Sequence, residues 1–324
     1  MCTAFSMTSK NHYFGRNLDL DRSYNEEVCI MPKKFPMNFR KKGDVNSHYA
    51  LIGMATVVNE VPLFYDASNE YGLSMAGLNF PGNAYFFEEK ENKDNITPFE
   101  FIPWILGQCK SVKEAKVLLN KINLVNISFS ENLPLSPLHW IIDDNDESIV
   151  VESRKEGIFI HQNTVRVLTN NPPFEYQMDN LKNYEHLRND NKEIDIVDSP
   201  FYTSYSLGLG GVGLPGDFSS MSRFVRCVFN LKNSICEKDE LSCVGQFFHI
   251  LASVSVVQGS CIADNGACHI TKYSACTNTQ KGLYYYTTYK NQQITCVNMH
   301  SIDLNSDKIT RFSLKTKENI LYDN

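Results

Sequence analysis

The sequence predicts an α+β fold in which antiparallel strands and helices stack as layers of a sandwich. Three observations predict it. A strand begins at the chain terminus itself. The order of helices followed by strands occurs twice along the chain. The strands are short apolar runs separated by turn residues, as in meanders, and do not alternate one by one with helices.

The opening run Met1 to Thr8 sets Ala4, Ser6 and Thr8 against Thr3, Phe5 and Met7, which is strand periodicity. The polar Lys10-Asn11 turn leads to a second strand, Tyr13 to Leu20, paired with the first. A tight turn there brings Arg16 and Asp19 close to Cys2. The turn at Asn69 to Leu73 enters a strand ending near Leu78 to Gly82. Thr97-Pro98-Phe99-Glu100 joins an N-cap, a proline at the first helical position and a glutamate at the third. Ser111 to Glu114 repeats the capping logic, so helices are expected at 98–108 and 112–121. Strands follow at Leu138 to Ile142, Ser148 to Glu152, Gly157 to Gln162 and Val165 to Thr169. The acidic run 143–146 lacks the glycine and distant glutamate of a calcium loop and reads as a hairpin turn. The second half predicts helices at Ser219 to Leu231 and Asp239 to Val257. Strands are then expected at Cys268 to Ala275, Gly282 to Tyr289 and Gln293 to Met299, with Lys290-Asn291 turning the last hairpin. Tyrosines 284, 285, 286 and 289 read as packing residues.

Composition narrows the function. The chain has 324 residues, 42% of them hydrophobic, and a formal net charge of −6. That size suits one large domain, taken as 1–324. The acidic balance argues against nucleic acid. The longest apolar stretch, Phe247 to Val257, is interrupted by His249, Ser253 and Ser255 and is too short to span a bilayer. No secretory signal pattern opens the chain, so a cytoplasmic location and reduced, mostly buried cysteines are expected. None of the ten cysteines shows C-x-x-C spacing, and the adjacent Cys268-His269 reads as a strand pair facing opposite ways; no metal or organic cofactor is expected.

Cys2 is the chemically informative residue. Removal of Met1 would leave a thiol and a free α-amine on one residue. Their ordinary pKa values are about 8.5 and about 7.7–8.0, so the amine can take the thiol proton near neutrality without a histidine. A nearby arginine favours the thiolate. Taken singly, Arg16 and Asp19 read as an ion pair and Arg223 as a solvated helix face. Asn79 and Asn170-Asn171 read as turn residues.

The blocks MCTAFSMTSKNHYFGRNLDL, YGLSMAGLNFPG, VLTNNPPFEYQ, LPGDFSSMSRFVR and KGLYYYTTY resemble the choloylglycine hydrolase family along nearly the whole chain. Within it they look most like the bile salt branch, because Asn79 stands where the penicillin V acylase branch tends to carry tyrosine. The resemblance implies an N-terminal nucleophile hydrolase fold, a four-layer αββα sandwich. It implies hydrolysis of glycine- or taurine-conjugated bile salts without a cofactor, and a homotetramer. It assigns Cys2 as nucleophile in a chain starting at residue 2, Arg16 beside the thiol, and Asp19 holding the α-amine. Asn79 and Asn170 become oxyanion donors, with Asn171 the alternative to Asn170, and Arg223 the second arginine. Leu18, Tyr24, Phe64, Leu133 and Leu135 are candidates for lining the steroid pocket, each of them equally readable as core.

Overall fold

The computed structural model describes residues 1–191, 201, 205–263 and 265–324. Two antiparallel sheets lie face to face. The six-stranded sheet runs in the order Val167–Leu168, Cys2–Thr8, His12–Leu20, Ile270–Asn278, Leu283–Thr288, Asn291–Asn298. The eight-stranded sheet runs Gly157–Gln162, Ser148–Arg154, Leu138–Asp143, Ser74–Asn79, Val61–Asn69, Leu51–Val58, Glu27–Met31, Thr310–Ser313. Helices Ser220–Asn233 and Glu240–Ala252 cover the outer face of the first sheet. Helix Phe101–Leu106 covers the outer face of the second, where Phe101 meets Trp140 edge-on at 4.8 Å. The four layers are α, β, β, α, as expected of an N-terminal nucleophile hydrolase fold.

This layering explains the terminal strand. Residues 2–7 are all buried, because one face meets helices and the other meets a sheet. Phe5 stacks on Phe247 of the helix layer at 4.1 Å, while the Ser6 hydroxyl donates across the sandwich to Asp143 at 2.8 Å. Deleting a ring from a site packed like that of Phe5 costs about 3–5 kcal/mol. Odd-numbered side chains of this strand therefore face helices, and even-numbered ones, Cys2 among them, face the second sheet.

Capping works locally as the residues suggest. Glu100 accepts from the Thr97 amide at 3.1 Å, and the Glu114 amide donates to Ser111 at 3.3 Å. The predicted elements are found with shifted ends. The last long helix stops at Ala252, short of the expected Val257. The hydroxyls of Ser253 and Ser255 turn back onto the carbonyls of Ile250 and Leu251, offering the backbone an alternative to another helical turn. Only Val167–Leu168 of the expected Val165 to Thr169 strand is paired, because Arg166 takes φ 57°. The strand expected from Cys268 starts at Ile270, and Asn291 opens the last long strand instead of turning the hairpin. Tyr284, Tyr285 and Tyr286 are buried, as packing residues should be.

Candidate active site

Cys2 opens a central strand and is 3% exposed. Its ladder partner is Leu18, and Arg16 pairs with Ala4 two rungs further in. Met1 prolongs that ladder: its ammonium donates to the Asp19 carbonyl at 2.8 Å, and the Asp19 amide donates to the Met1 carbonyl at 2.9 Å. Met1 thus covers the amine end of Cys2, with its sulfur 4.0 Å from Cys261 Sγ.

Three distant segments converge on Cys2. Its amide donates to Asn170 Oδ1 at 2.7 Å. Arg223, fully buried near the start of helix Ser220–Asn233, donates to the Cys2 carbonyl, to Thr3 Oγ1 at 2.7 Å and to Asn170 Oδ1 at 2.8 Å. Two donors on Oδ1 settle the orientation of the Asn170 amide, and its Nδ2 donates to the Asn79 carbonyl at 2.7 Å. Asn171 instead donates to the Pro81 carbonyl at 2.6 Å, so Asn170 is the asparagine at Cys2. The Asn170 main chain is anchored by its amide to Ser220 Oγ at 2.8 Å and by Gln177 at its carbonyl, 3.2 Å away. Asn79 ends the strand Ser74–Asn79, with its side chain exposed.

Arg16 reaches between the sheets. Its Nη1 donates to the carbonyls of Tyr65 at 3.0 Å and Gly77 at 2.6 Å, whereas Nη2 is buried without a partner. The preceding Gly15 is required by packing, since a Cβ there would lie 1.9 Å from the Ala275 carbonyl oxygen. Burial alone would push the Arg16 guanidinium down; Cys2, Tyr273, Asp66 and Asp19 outweigh it and raise it above the ordinary value. For Arg223 burial wins, and the guanidinium is lowered despite Asp19 and Cys2.

Asp19 lies on the helix side of its strand. One carboxylate oxygen accepts from the Thr271 hydroxyl at 2.6 Å; the other is buried without a partner. A β-bulge between Thr271 and Tyr273 makes this possible. It lets Thr271 face Asp19 while Tyr273 faces the opposite side. There the Tyr273 hydroxyl donates to Asp66 at 2.6 Å, beside the Tyr284 hydroxyl at 2.7 Å.

The nominated pocket residues divide. Leu18 is buried beside Cys2 in the ladder. Tyr24 is 39% exposed, and its carbonyl accepts from Thr56, whose hydroxyl also meets Tyr65. Leu133 and Leu135 are half-buried in the loop leading to Leu138, the ladder partner of Asn79. Phe64 is not brought to the site. It packs in the core between the second sheet and the Phe101–Leu106 helix, on the face away from Cys2. Its neighbour Tyr65 points the other way, toward the core shared with Cys2, since one position along a strand changes the sheet face. Sequence reasoning also missed Tyr65, Thr271 and Ser220, which nothing in their local pattern singles out. Among the described residues, no helix is long and apolar enough to cross a membrane.

Residues 2–312 match the family model of linear amide C-N hydrolases, choloylglycine hydrolase family. The chain is 50% identical over 317 residues to the bile salt hydrolase/transferase of Lactiplantibacillus plantarum, with 98% of each chain covered. It is 39% identical to the bile salt hydrolase/transferase of Clostridium perfringens over 96% of each. An arginine-to-leucine variant of the Clostridium perfringens conjugated bile acid hydrolase superposes with TM-score 0.93 at 37% identity over 100% of both chains. The penicillin V acylase of Agrobacterium tumefaciens shares the fold, with TM-score 0.76 at 19% identity over 97% of this chain and 92% of that one. With the family pattern running along residues 2–312 and a buried cysteine at the head of a central strand, the chain belongs to the choloylglycine hydrolase family of linear amide C-N hydrolases.

Proposed function

We propose that this chain hydrolyses the amide bond of glycine- or taurine-conjugated bile salts, with Cys2 as nucleophile once Met1 has been removed. The observation that carries the mechanism is the pair of orphaned polar atoms around Cys2, Arg16 Nη2 and Asp19 Oδ2, both buried and unpartnered while Met1 is in place. Buried polar groups are ordinarily satisfied. A thiolate and a free α-amine on residue 2 supply an acceptor for the guanidinium and a donor for the carboxylate. The substrate class rests on the names carried by the relatives that match end to end.

In this reading the α-amine of Cys2 takes the thiol proton, and the thiolate adds to the amide carbon. The oxyanion is held by Asn79 and Asn170, a kind of contact typically worth ~10²–10³ in rate. The ammonium then protonates the departing nitrogen, the C–N bond breaks, and glycine or taurine leaves. The thioester remaining on Cys2 is hydrolysed by water, which restores the thiol and frees the bile acid. The two guanidiniums offset the negative charge that builds up in a largely buried site. Leu18, Tyr24, Tyr65, Leu133 and Leu135 supply apolar surface for the steroid. Assembly as a homotetramer in the cytoplasm belongs to the same proposal; exposed Tyr205, Leu207 and Val212 are apolar surface of the kind a second copy covers.

The test is a substrate panel of glycocholate, taurocholate and penicillin V. Release of glycine or taurine at a kcat/KM well above that for penicillin V is expected. Preference for penicillin V would overturn the substrate assignment and leave the acyl-amide chemistry standing. Binding without turnover by protein shown to begin at Cys2 would make it a binding protein.

Asp19→Asn should lower kcat by about 10²-fold with little change in KM, because it disturbs the proton-transferring amine and leaves ground-state binding alone. Removing a nearby negative charge lowers the pKa of an ammonium, so the acid limb of the pH–rate profile should move to lower pH. A profile that stays in place with only KM raised would make Asp19 a substrate-binding residue.

A further inference from the structure

His139 and Glu152 are fully buried and touch neither Cys2 nor either guanidinium of the site, yet they connect the two loops that carry its asparagines. The His139 ring lies flat on Phe80, the residue after Asn79, with centroids 4.2 Å apart and planes 5° from parallel. Its Nε2 is 2.9 Å from the carbonyl of Thr169, the residue before Asn170. Its Nδ1 is 3.3 Å from Glu152 Oε1. A carbonyl can only accept, so Nε2 carries a proton. Glu152 Oε1 also accepts the amide of Phe174 at 2.9 Å, where the chain re-enters helix after Asn171-Pro172-Pro173. The segment bearing Asn170 is thus pinned at both ends by one histidine–carboxylate pair, and the same histidine packs against the segment bearing Asn79.

The surroundings hold that pair in place. Burial would push the Glu152 carboxyl up; the imidazoles of His139 and His161 and the Phe174 amide pull it down to about 2. Glu152, His161 and Glu175 present ligand atoms within 4.8 Å of one another. Arg154 Nη1 already supplies the counter-charge there, 2.6 Å from Glu175 Oε1 and 3.7 Å from Glu152 Oε2, so the cluster reads as an ion-pair network behind His139 and not as a cation site.

We propose that His139, backed by Glu152, is the positioning residue that sets the separation between Asn79 and Asn170 and so tunes the oxyanion site. The inference rests on the proposed function, in which those two asparagines hold the oxyanion. Catalytic groups must be held within about 0.5 Å of their working geometry, and the 2.7 Å contact between Asn170 Nδ2 and the Asn79 carbonyl is the spacing at stake.

The test compares His139→Leu, His139→Gln and Glu152→Gln with the parent enzyme, measuring kcat and KM on glycocholate, the rate of Cys2 alkylation by iodoacetamide, and Tm. Alkylation displaces iodide at a saturated carbon and forms no oxyanion, so it reports on the thiol alone. His139→Leu should lose roughly 10- to 100-fold in kcat, a share of what deleting an oxyanion donor costs. KM should stay within about threefold and alkylation should be unchanged. His139→Gln, which keeps an N–H able to reach Thr169, should recover most of the loss. An unchanged kcat in His139→Leu overturns the proposal, and so does a parallel fall in turnover and alkylation, which marks general collapse of the site. If His139→Leu does not fold, the isosteric Glu152→Gln decides by the same split: lower kcat with unchanged alkylation supports the proposal, and unchanged kcat overturns it. Parent enzyme that turns over none of the amides in the panel sinks the functional reading and this inference with it. Parent turnover with indifferent variants sinks this inference alone.

Discussion

Cys2→Ser is expected to abolish nearly all turnover, by about 10³-fold or more, while leaving the fold in place. Serine fills almost the same space at the head of the strand, and the ladder from Cys2 to Thr8 needs only the backbone. The chemistry does not survive the exchange, because an alkoxide is far harder to generate than a thiolate with an α-amine as base. Several of the other cysteines are poor substitutes. Burial pushes the thiols of Cys29, Cys109 and Cys227 up to about 12 and that of Cys276 well above its ordinary value. Cys296 is exposed, but burial of its sulfur and the nearby Glu240 raise it as well, against the Tyr285 hydroxyl. Iodoacetamide should therefore modify Cys2 first in chains that have lost Met1, with activity falling in step. Peptide mapping that finds another cysteine modified first, in step with inactivation, would move the active site elsewhere.

A chain forced to retain a residue ahead of Cys2 should be just as inactive. With Met1 in place the nitrogen of Cys2 is an amide. It has no basic lone pair, and it already donates to Asn170 Oδ1 at 2.7 Å. Met1 also occupies the rung beside Asp19, and Cys2 is left only 3% exposed. Both the base and access to the thiol are then missing, and general-base catalysis alone is worth ~10²–10⁴. Protein carrying an uncleavable N-terminal extension should fold with the same Tm yet release no glycine or taurine. Intact mass of active enzyme should show loss of one methionine. Full activity from chains shown by mass to keep Met1 would eliminate the α-amine as base.

What was legible in the sequence was local. The terminal strand, its hairpin to Leu20 and the cap residues Ser111 and Glu100 depend on neighbours a few positions apart, and those interactions form as the residues dictate. The placement of Arg16 and Asp19 near Cys2 followed from that one hairpin. The strands Glu27–Met31 and Leu51–Val58 were not legible. The first is buried almost throughout and the second over most of its length, so neither shows the polar–apolar alternation that betrays a strand with one wet face. Sheet face was illegible for the same reason: Phe64 packs on the face away from Cys2, and its neighbour Tyr65 on the face toward it.

By itself the sequence singled out Cys2, the elements that carry it and, through whole blocks of residues, the family. Only the tertiary structure decided which side chains meet. Asn170 reaches Cys2 across 168 residues and Arg223 across 221. Thr271, turned by the bulge, reaches Asp19 across 252 residues. Contacts of that span leave no periodic trace along the chain. They arise because two sheets and two helical layers must bury both faces of the same strands, and that burial brings a strand end, a loop and a helix start together at Cys2.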